Sequence, residues 1–434
     1  MSDKNIRMII GMDDTDSREG MCTTYLCALL RDELSSFADI VAEPILVRLN
    51  PTIPYKTRGN ASVALLVECN DPERIVEHVT AKVASMACMN NENTNPGIVF
   101  ITDDKFEAVK HELSTFFRRA VKEVITIDEA KELASELELR FKFFKNGRGL
   151  IGALSACGAM LDLEWDHTYE YLAYREKDVW GNLRTVDETS LFEADRQTYP
   201  DTWDTVDLVN KMAVCVPHSG DPVLFGIRGK DSSSVEKAAS FVISEPVERI
   251  CTYRTNQGTD MHLIPVSGVE GIDEMHSYIL EGEVVSDPET IRGGHTIFSL
   301  VDNQGETIDC AAFEPTKNFR ELVRKLIPGD RIVVYGSVTE RTMNIEKMKI
   351  LKLALKYEVS NPACPSCGKR MKSAGSGQGY RCRKCGTSSM DTERSEVKRD
   401  IQAGFYEVPP CARRHLAKQL IRFEKDDLPV FPGR

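Results

Sequence analysis

The chain has 434 residues and a formal net charge of −12, a length that predicts about three or four domains. With 41% hydrophobic and 28% charged residues, a largely disordered or fibrous chain is excluded. No apolar run approaches the roughly 18 residues of a membrane helix, and Met1–Asn5 passes into a strand pattern without a secretory h-region, so a cytoplasmic protein is expected.

In chain order, Ile6–Met12 reads as a strand ending in acidic residues, Thr23–Leu34 as a helix and Ile40–Leu49 as a β-rich segment. Ala61–Cys69 is a strand, Pro72–Met86 a helix and Gly97–Thr102 a strand. The order βαββαβ suits a split βαβ unit. Phe106–Leu137 is helical and charged. Arg140–Phe144 then leads into a glycine-rich turn and a small-residue helix, Ile151–Met160, followed by expected strands at Tyr169–Tyr174 and around Trp180–Val186.

A polar stretch from Asp195 to Asp207 marks an expected domain boundary. Beyond it Met212–Pro217, Pro222–Arg228, Val235–Ile243 and Arg249–Arg254 read β, β, α, β, and Gly268–Met275 is a linker. Short strands follow at Tyr278–Val285, Thr296–Val301, Thr307–Ala312, Arg331–Val338 and Met343–Leu351. A helix at Asn318–Leu326 lies between the third and fourth, the layout of an OB-fold barrel.

Thirteen cysteines, nine of them scattered singly, do not form a disulfide framework. The other four stand as two hooks, Cys364-x2-Cys367 and Cys382-x2-Cys385, the spacing of a closed tetrahedral zinc site with a structural role. Arg381, Arg383 and Lys384 beside it suit phosphate contacts. Charge is divided unevenly: 15 Lys and Arg against 8 Asp and Glu give +7 over residues 361–434, leaving −19 on the first 360. One end is thus suited to a polyanion while the rest is not.

Three turns point to phosphoryl chemistry. In Gly11–Ser17 the carboxylates Asp13, Asp14 and Asp16 repel one another unless a divalent cation or cationic ligand lies between them. Gly20-Met21-Cys22-Thr23-Thr24 then opens a helix whose amides face an anion. A capped acidic turn explains the same residues equally well. Lys145-Asn146-Gly147-Arg148-Gly149-Leu150-Ile151-Gly152 is a second anion-capture geometry, and the proline-broken loop Arg48–Asn60 presents Arg48, Lys56 and Arg58 to phosphates. One acidic and two basic turns in one domain favour phosphoryl transfer over three unrelated surface loops. Trp203, Asp204 and Asp207, with Asp187 and Asp195 upstream, suit a cationic small molecule or a hydrated loop. The tail Gly404–Leu416 is an extended strap turning into a basic helix start; it either packs across other domains or grips RNA through Arg413, Arg414 and Lys418.

Together these motifs resemble the archaeal tRNA-isoleucine 2-agmatinylcytidine synthetases over essentially the whole chain. The resemblance implies a multidomain α+β protein. Residues 1–195 would form an ATP-dependent kinase-like α/β catalytic domain and 196–272 a ferredoxin-like α+β domain; 277–353 would be the OB-fold and 358–434 the zinc ribbon with its basic tail. It implies a ligase that joins agmatine to C2 of the wobble cytidine in a CAU anticodon, with ATP giving AMP and two phosphates. Asp13, Asp14 and Asp16 would hold Mg²⁺, and Thr23 matches a self-phosphorylated threonine. Ser17, Gly20, Cys22, Thr24, Lys145, Gly147, Arg148, Gly149 and Gly152 would bind ATP or phosphate, and Trp203, Asp204 and Asp207 agmatine. Arg48, Lys56, Arg58, Arg381, Arg383, Lys384, Arg413, Arg414 and Lys418 would meet the tRNA. No membrane or obligate protein partner is implied. The rival from another class is an OB-fold and zinc-ribbon nucleic-acid-binding protein without catalysis; it leaves Asp13–Thr24 without a purpose. A lysidine-type ligase would require an SGGxDS loop, which the sequence lacks.

Overall fold

Two βαββαβ units share one ten-stranded sheet in the computed structural model, which describes residues 5–57, 59–424 and 427–434. The first unit runs β1 (Ile6–Asp13), α1 (Thr23–Leu34), β2 (Ile45–Arg48), β3 (Ala61–Cys69), α2 (Pro72–Met86), β4 (Gly97–Thr102). Then come α3 (Phe106–Ala120), α4 (Ile127–Glu136), β5 (Arg140–Phe143) and α5 (Gly149–Leu161). The second unit is β6 (Thr168–Arg175), α6 (Glu188–Thr198), β7 (Thr202–Trp203), β8 (Val223–Gly229), α7 (Ser232–Ala239), β9 (Val247–Thr255).

The strand order is β5-β4-β1-β3-β2-β9-β6-β8-β7. Each unit places its first and third strands as antiparallel neighbours, so that the first and second run parallel with the third between them. The units join through the parallel pair β2 and β9, with Ile45 opposite Arg254 and Leu46 opposite Thr255. Both faces of the first unit are covered: Met8, Ile10 and Met12 pack with α1 and α2, while Ile9 packs with α3 and α5. This two-sided burial explains the nearly continuous apolar run of β1.

The expected break after residue 195 falls inside α6, and β6 is a central strand of the second unit, not part of the first. Its partners β8 and β9 lie far downstream, and pairing across that distance leaves no local mark. The expected strand at Trp180–Val186 is absent. The fully buried Arg175 guanidinium donates to Glu245 (2.5 Å), the Asn182 carbonyl (2.8 Å) and the Leu183 carbonyl (3.0 Å), winding that segment around a cation. Of Met212–Pro217 only Met212–Ala213 pairs as strand. The long helix Phe106–Leu137 is two helices, because Thr126 starts α4 by accepting the Glu129 N–H at 3.2 Å.

A parallel strand β10 (Leu263–Val266) leads into a barrel of β11 (Ser277–Val284), β12 (Thr296–Val301), β13 (Thr307–Ala312), β14 (Arg331–Thr339) and β15 (Thr342–Lys352). It closes in the order β11-β12-β13-β15-β14-β11, with β13 and β15 parallel and α8 (Asn318–Val323) between the third and fourth strands. The tail returns from the cysteine hooks, adds β16 (Gly404–Glu407) to β15 and ends against the second unit, where the Val209 N–H donates to the Arg434 carbonyl. Instead of the expected helix start after Pro409, it makes single 3-10 turns at Pro410–Ala412 and Leu420–Arg422. Among the described residues no helix is long and apolar enough to cross a membrane.

Candidate active site

The end of β1 and the start of α5 meet where neither has room for a side chain. A Cβ on Gly152 would stand 1.9 Å from Asp13 Oδ2, and one on Gly149 would stand 2.4 Å from Gly97 N and 2.7 Å from the Asp13 carbonyl oxygen. Gly147 takes φ of 83°, the left-handed turn that starts the helix. The glycine-rich turn is therefore first a close-packing device that seats the N-terminus of α5 on Asp13.

The Asp13 carboxyl is partly buried and accepts the Asp14 N–H at 2.6 Å. Burial, with repulsion from Asp14 and Asp16, pushes it well above the usual carboxylate range, despite the Asp14 amide and Arg148. Burial also raises Asp14, which adopts φ of 59°. Arg148 opposes this shift, its Nε donating to Asp14 Oδ2 at 3.0 Å. Arg148 also lies 5.6 Å from the Tyr55 ring centroid. Lys145 instead turns outward onto the Asn91 carbonyl at 2.5 Å.

Thr23, the first residue of α1, is buried; its Oγ1 lies 3.0 Å from the Thr15 hydroxyl and 3.4 Å from the Thr15 N. Thr24 Oγ1 lies 3.0 Å from Cys22 Sγ. Ser17 N–H donates to the Gly20 carbonyl at 3.0 Å, closing the turn before the helix. Neither α1 nor α5 is capped by a side chain; the first turn of α1 leaves amides for an anion, whereas in α5 Gly149, Leu150 and Ile151 N–H already donate to the Asn95, Gly147 and Arg148 carbonyls at 2.9, 3.0 and 3.1 Å.

Asp13, Asp14, Asp16, Thr23 and Thr24 line a cleft of about 330 Å³ together with Arg48, Lys56, Glu170, Arg228 and His415. Glu170 is 3% exposed. It receives Gln257 Nε2 at 2.6 Å, Arg228 Nε at 3.0 Å and the Arg48 guanidinium at 3.6 Å. Burial pushes it up, yet Arg228, Arg48 and Gln257 outweigh that and hold it below the ordinary range. His415 Nδ1 lies 2.7 Å from Arg228 NH2 and 3.1 Å from Gln257 Oε1. Burial first, then Arg48 and Arg228, drive this imidazole well below its usual pKa, so it is neutral. Lys56 donates to the Pro51 carbonyl, and burial and Arg414 depress its pKa. Of this cluster only Arg48 and Lys56 stand out in the sequence. Glu170 leaves one weak sign, a charge within the apolar run Tyr169–Tyr174, while Arg228, Gln257 and His415 leave none.

Several expected binding residues serve the chain itself. Asp204 accepts from Arg413 and from Gln419 at 3.0 Å, while Asp207 accepts from Asn210 N at 2.9 Å and Cys411 N at 3.3 Å. Arg422 covers the buried Trp203 ring at 5.4 Å. Asp187 caps α6 and Asp195 meets Arg434 at 2.8 Å. The cations that meet this acidic and aromatic group within the chain are Arg413, Arg422 and Arg434 of the tail. Arg413 accordingly does not face RNA: its side chain is 3% exposed and bridges Asp204 and Glu407. Arg414 donates to Ser337 Oγ, and Lys418 keeps a partly exposed pair with Asp166 at 3.0 Å. Arg381, Arg383 and Lys384 are exposed. Arg58 lies outside the described residues.

The four hook cysteines converge, with Sγ separations of 3.4 Å (Cys364 to Cys385), 3.6 Å (Cys367 to Cys382) and 3.7 Å (Cys367 to Cys385). Bonds of about 2.3 Å to a tetrahedral zinc would place thiolates about 3.8 Å apart, so the donor set fits. Asp260, His262 and Glu346 also gather donor atoms of metal-binding type. There the Lys347 ammonium already sits on Asp260 at 2.6 Å, and the group forms an ionic joint between the second unit and the barrel.

Three family models match the chain: the TiaS TCKD domain over residues 9–71, the TiaS FLD domain over 147–262 and the TiaS C-terminal zinc ribbon domain over 361–401. The isoleucine-tRNA 2-agmatinylcytidine synthetase TiaS of Methanosarcina acetivorans is 59% identical, over 98% of this chain and 100% of the relative. A solved complex of TiaS with its isoleucine tRNA and ATP is 44% identical with a TM-score of 0.90. A complex of TiaS with the same tRNA, AMPCPP and agmatine is 41% identical with a TM-score of 0.87. Each covers 98% of this chain and is itself covered in full. Sequence and fold agree from end to end: the chain belongs to the TiaS family of isoleucine-tRNA 2-agmatinylcytidine synthetases.

Proposed function

We propose that the cleft joins agmatine to C2 of the wobble cytidine in an isoleucine tRNA with a CAU anticodon, using ATP, so that the tRNA reads AUA. The observation that carries this reading is the cleft itself. It unites the Asp13, Asp14 and Asp16 carboxylates, the uncapped N-terminus of α1 and a basic cluster in a family whose relatives are solved with isoleucine tRNA, ATP and agmatine. A binding protein without catalysis has no use for Asp13, whose burial is costly.

The chemistry follows from the leaving group. The C2 carbonyl oxygen takes the terminal phosphoryl group of ATP: an O–P bond forms as the bond from that phosphorus to the β,γ-bridging oxygen breaks, which turns a poor leaving group into phosphate. Water cleaves the remaining α,β-anhydride to AMP and the second phosphate. The primary amine of agmatine then adds to C2, loses a proton, and the C2–O bond breaks. Overall, cytidine, agmatine, ATP and one water give the conjugate, AMP and two phosphates. Thr23, its hydroxyl fixed by Thr15, is our candidate for a phosphoryl acceptor on the enzyme.

Asp13 leads the set that would hold Mg²⁺, with Asp14 and Asp16; a divalent cation there would neutralise phosphate charge. Burial of Asp13 beside Asp14 and Asp16, which outweighs the Asp14 amide and Arg148, supports this assignment. Amides of the α1 first turn, with Ser17, Gly20, Cys22, Thr24 and the Gly147–Gly152 turn, orient phosphates, and Arg148 does so through Asp14. The barrel is read as an OB-fold and the ribbon as its zinc-held extension, presenting Arg381, Arg383 and Lys384 to tRNA. The second βαββαβ unit is read as the ferredoxin-like domain, with its start moved to Thr168. Asp204, the one expected agmatine residue that reaches the cleft, is retained as a contributor to the amine site.

ATP turnover tests this reading. It should be fastest with cognate tRNA and agmatine together, and no turnover in any mixture would return the chain to the class of nucleic-acid-binding proteins.

A further inference from the structure

The basic cluster in the cleft is assembled from distant parts of the chain. Arg48 comes from the end of β2, Glu170 from β6, Arg228 from β8, and His415 from the tail that has passed through the barrel and ribbon. Two guanidinium groups around one buried carboxylate leave one positive charge at the cleft wall. Arginine's planar fork suits a phosphate only when its plane is fixed. Glu170 holds Arg228 through Nε at 3.0 Å, and His415 Nδ1 holds NH2 at 2.7 Å, so the guanidinium is gripped at two points.

The backbone that carries the imidazole is itself fixed. Gly258 N–H donates to the His415 carbonyl at 2.8 Å, and Thr259 and Asp260 N–H groups donate to the Leu416 carbonyl at 3.1 and 2.8 Å. A Cβ on Gly59 would stand 3.0 Å from His415 Nε2 and 2.2 Å from Arg48 NH1, so the Arg48 loop closes directly over the ring. The groups facing the imidazole are Arg48, Arg228, Glu170 and Gln257. A protonated ring would add a third cation beside one carboxylate.

We propose that His415 is a positioning residue of the ligase reaction: its neutral imidazole, delivered by the C-terminal strap, sets the Arg228 guanidinium, and through Glu170 that of Arg48, to receive a phosphate group in the cleft. The phosphate belongs either to the nucleotide or to the RNA around the target base. The inference rests on the ligase reading and adds that the catalytic cleft is incomplete without the last segment of the chain.

The test is a double-mutant cycle on the full-length protein, following product formation with tRNA, ATP and agmatine. His415→Leu should lower kcat by about 10- to 100-fold with KM for agmatine within about threefold, as expected for lost alignment. His415→Asn, which keeps an acceptor, should recover activity to within about fivefold of the parent. Because His415 acts through Arg228, adding His415→Leu to Arg228→Lys should cost less than about threefold more. Wild-type turnover in His415→Leu, or fully multiplicative losses in the double variant, would overturn the proposal. If His415→Leu does not fold, the cycle is run with His415→Ala, which also removes the acceptor, under the same criterion. A loss of ATP affinity in Arg228→Lys without tRNA assigns the phosphate to the nucleotide; a loss of tRNA affinity without ATP assigns it to RNA; loss of neither overturns the phosphate role. A parent protein that makes no product contradicts the ligase reading instead.

Discussion

Asp13 depends on a side chain that is missing elsewhere. Gly152 leaves the space its carboxylate fills, so Gly152→Ala should displace the carboxylate and lower turnover by about 100-fold, read from product formation, while far-ultraviolet circular dichroism stays unchanged. Because burial raises the Asp13 pKa, the carboxylate needed for a cation is lost on acidification sooner than an ordinary aspartate would be. The acid limb of the pH–rate profile should therefore lie above the usual carboxylate range and move to lower pH as magnesium is raised. Thr23→Ala should abolish product with tRNA affinity within about twofold, since its partner is Thr15 and not a basic residue. Residues at this scale were only partly legible. Asp13–Thr24 and Gly147–Gly152 are contiguous and announce themselves. Glu170, Arg228, Gln257 and His415 become a cluster only when four separated segments fold together.

Elements were legible wherever burial imposed a period. α1, β3, α2 and β4 occupy their expected spans because amphipathic or doubly buried patterns define them. Trp180–Val186 has strand composition but is organised by Arg175, a contact that local periodicity does not encode. The tail strap carries its own prediction. Asp204 and Glu407 share the single Arg413, and burial raises Glu407 to about 7 although Arg413 and Lys347 pull it down. A carboxyl raised on folding favours the folded state fully below its unfolded value of about 4.3 and loses that contribution as pH rises through the folded value. The melting temperature should thus decline between about pH 4 and pH 7, from the unfolded value to the raised one, and Glu407→Gln should flatten the decline. The cysteine hooks, whose donor set closes without an open position, should hold one zinc per chain. Metal analysis of Cys382→Ser should show its loss, with the folded α/β units retained in a thermal melt.

At the scale of the whole molecule, the tandem of βαββαβ units was half visible: both were legible as α+β patterns, but β6 was grouped with the wrong one because strand pairing across α6 is non-local. The uneven charge also acquires a different meaning. Much of the +7 segment is directed inward: Arg399 pairs with Asp330, Arg413 with Asp204 and Glu407, Arg422 with Asp166 and Arg434 with Asp195. The basic tail therefore straps barrel and catalytic units together through their acidic excess, while exposed Arg381, Arg383 and Lys384 keep the charge suited to RNA. Both roles serve one outcome, a wobble base held in a cleft that four parts of the chain complete. Mass analysis of the wobble nucleoside, after incubation of the protein with isoleucine tRNA bearing CAU, ATP and agmatine, tests that outcome directly. Cytidine carrying agmatine in place of its C2 oxygen is the predicted result, and unmodified cytidine recovered from a reaction with folded, zinc-loaded protein would contradict the account.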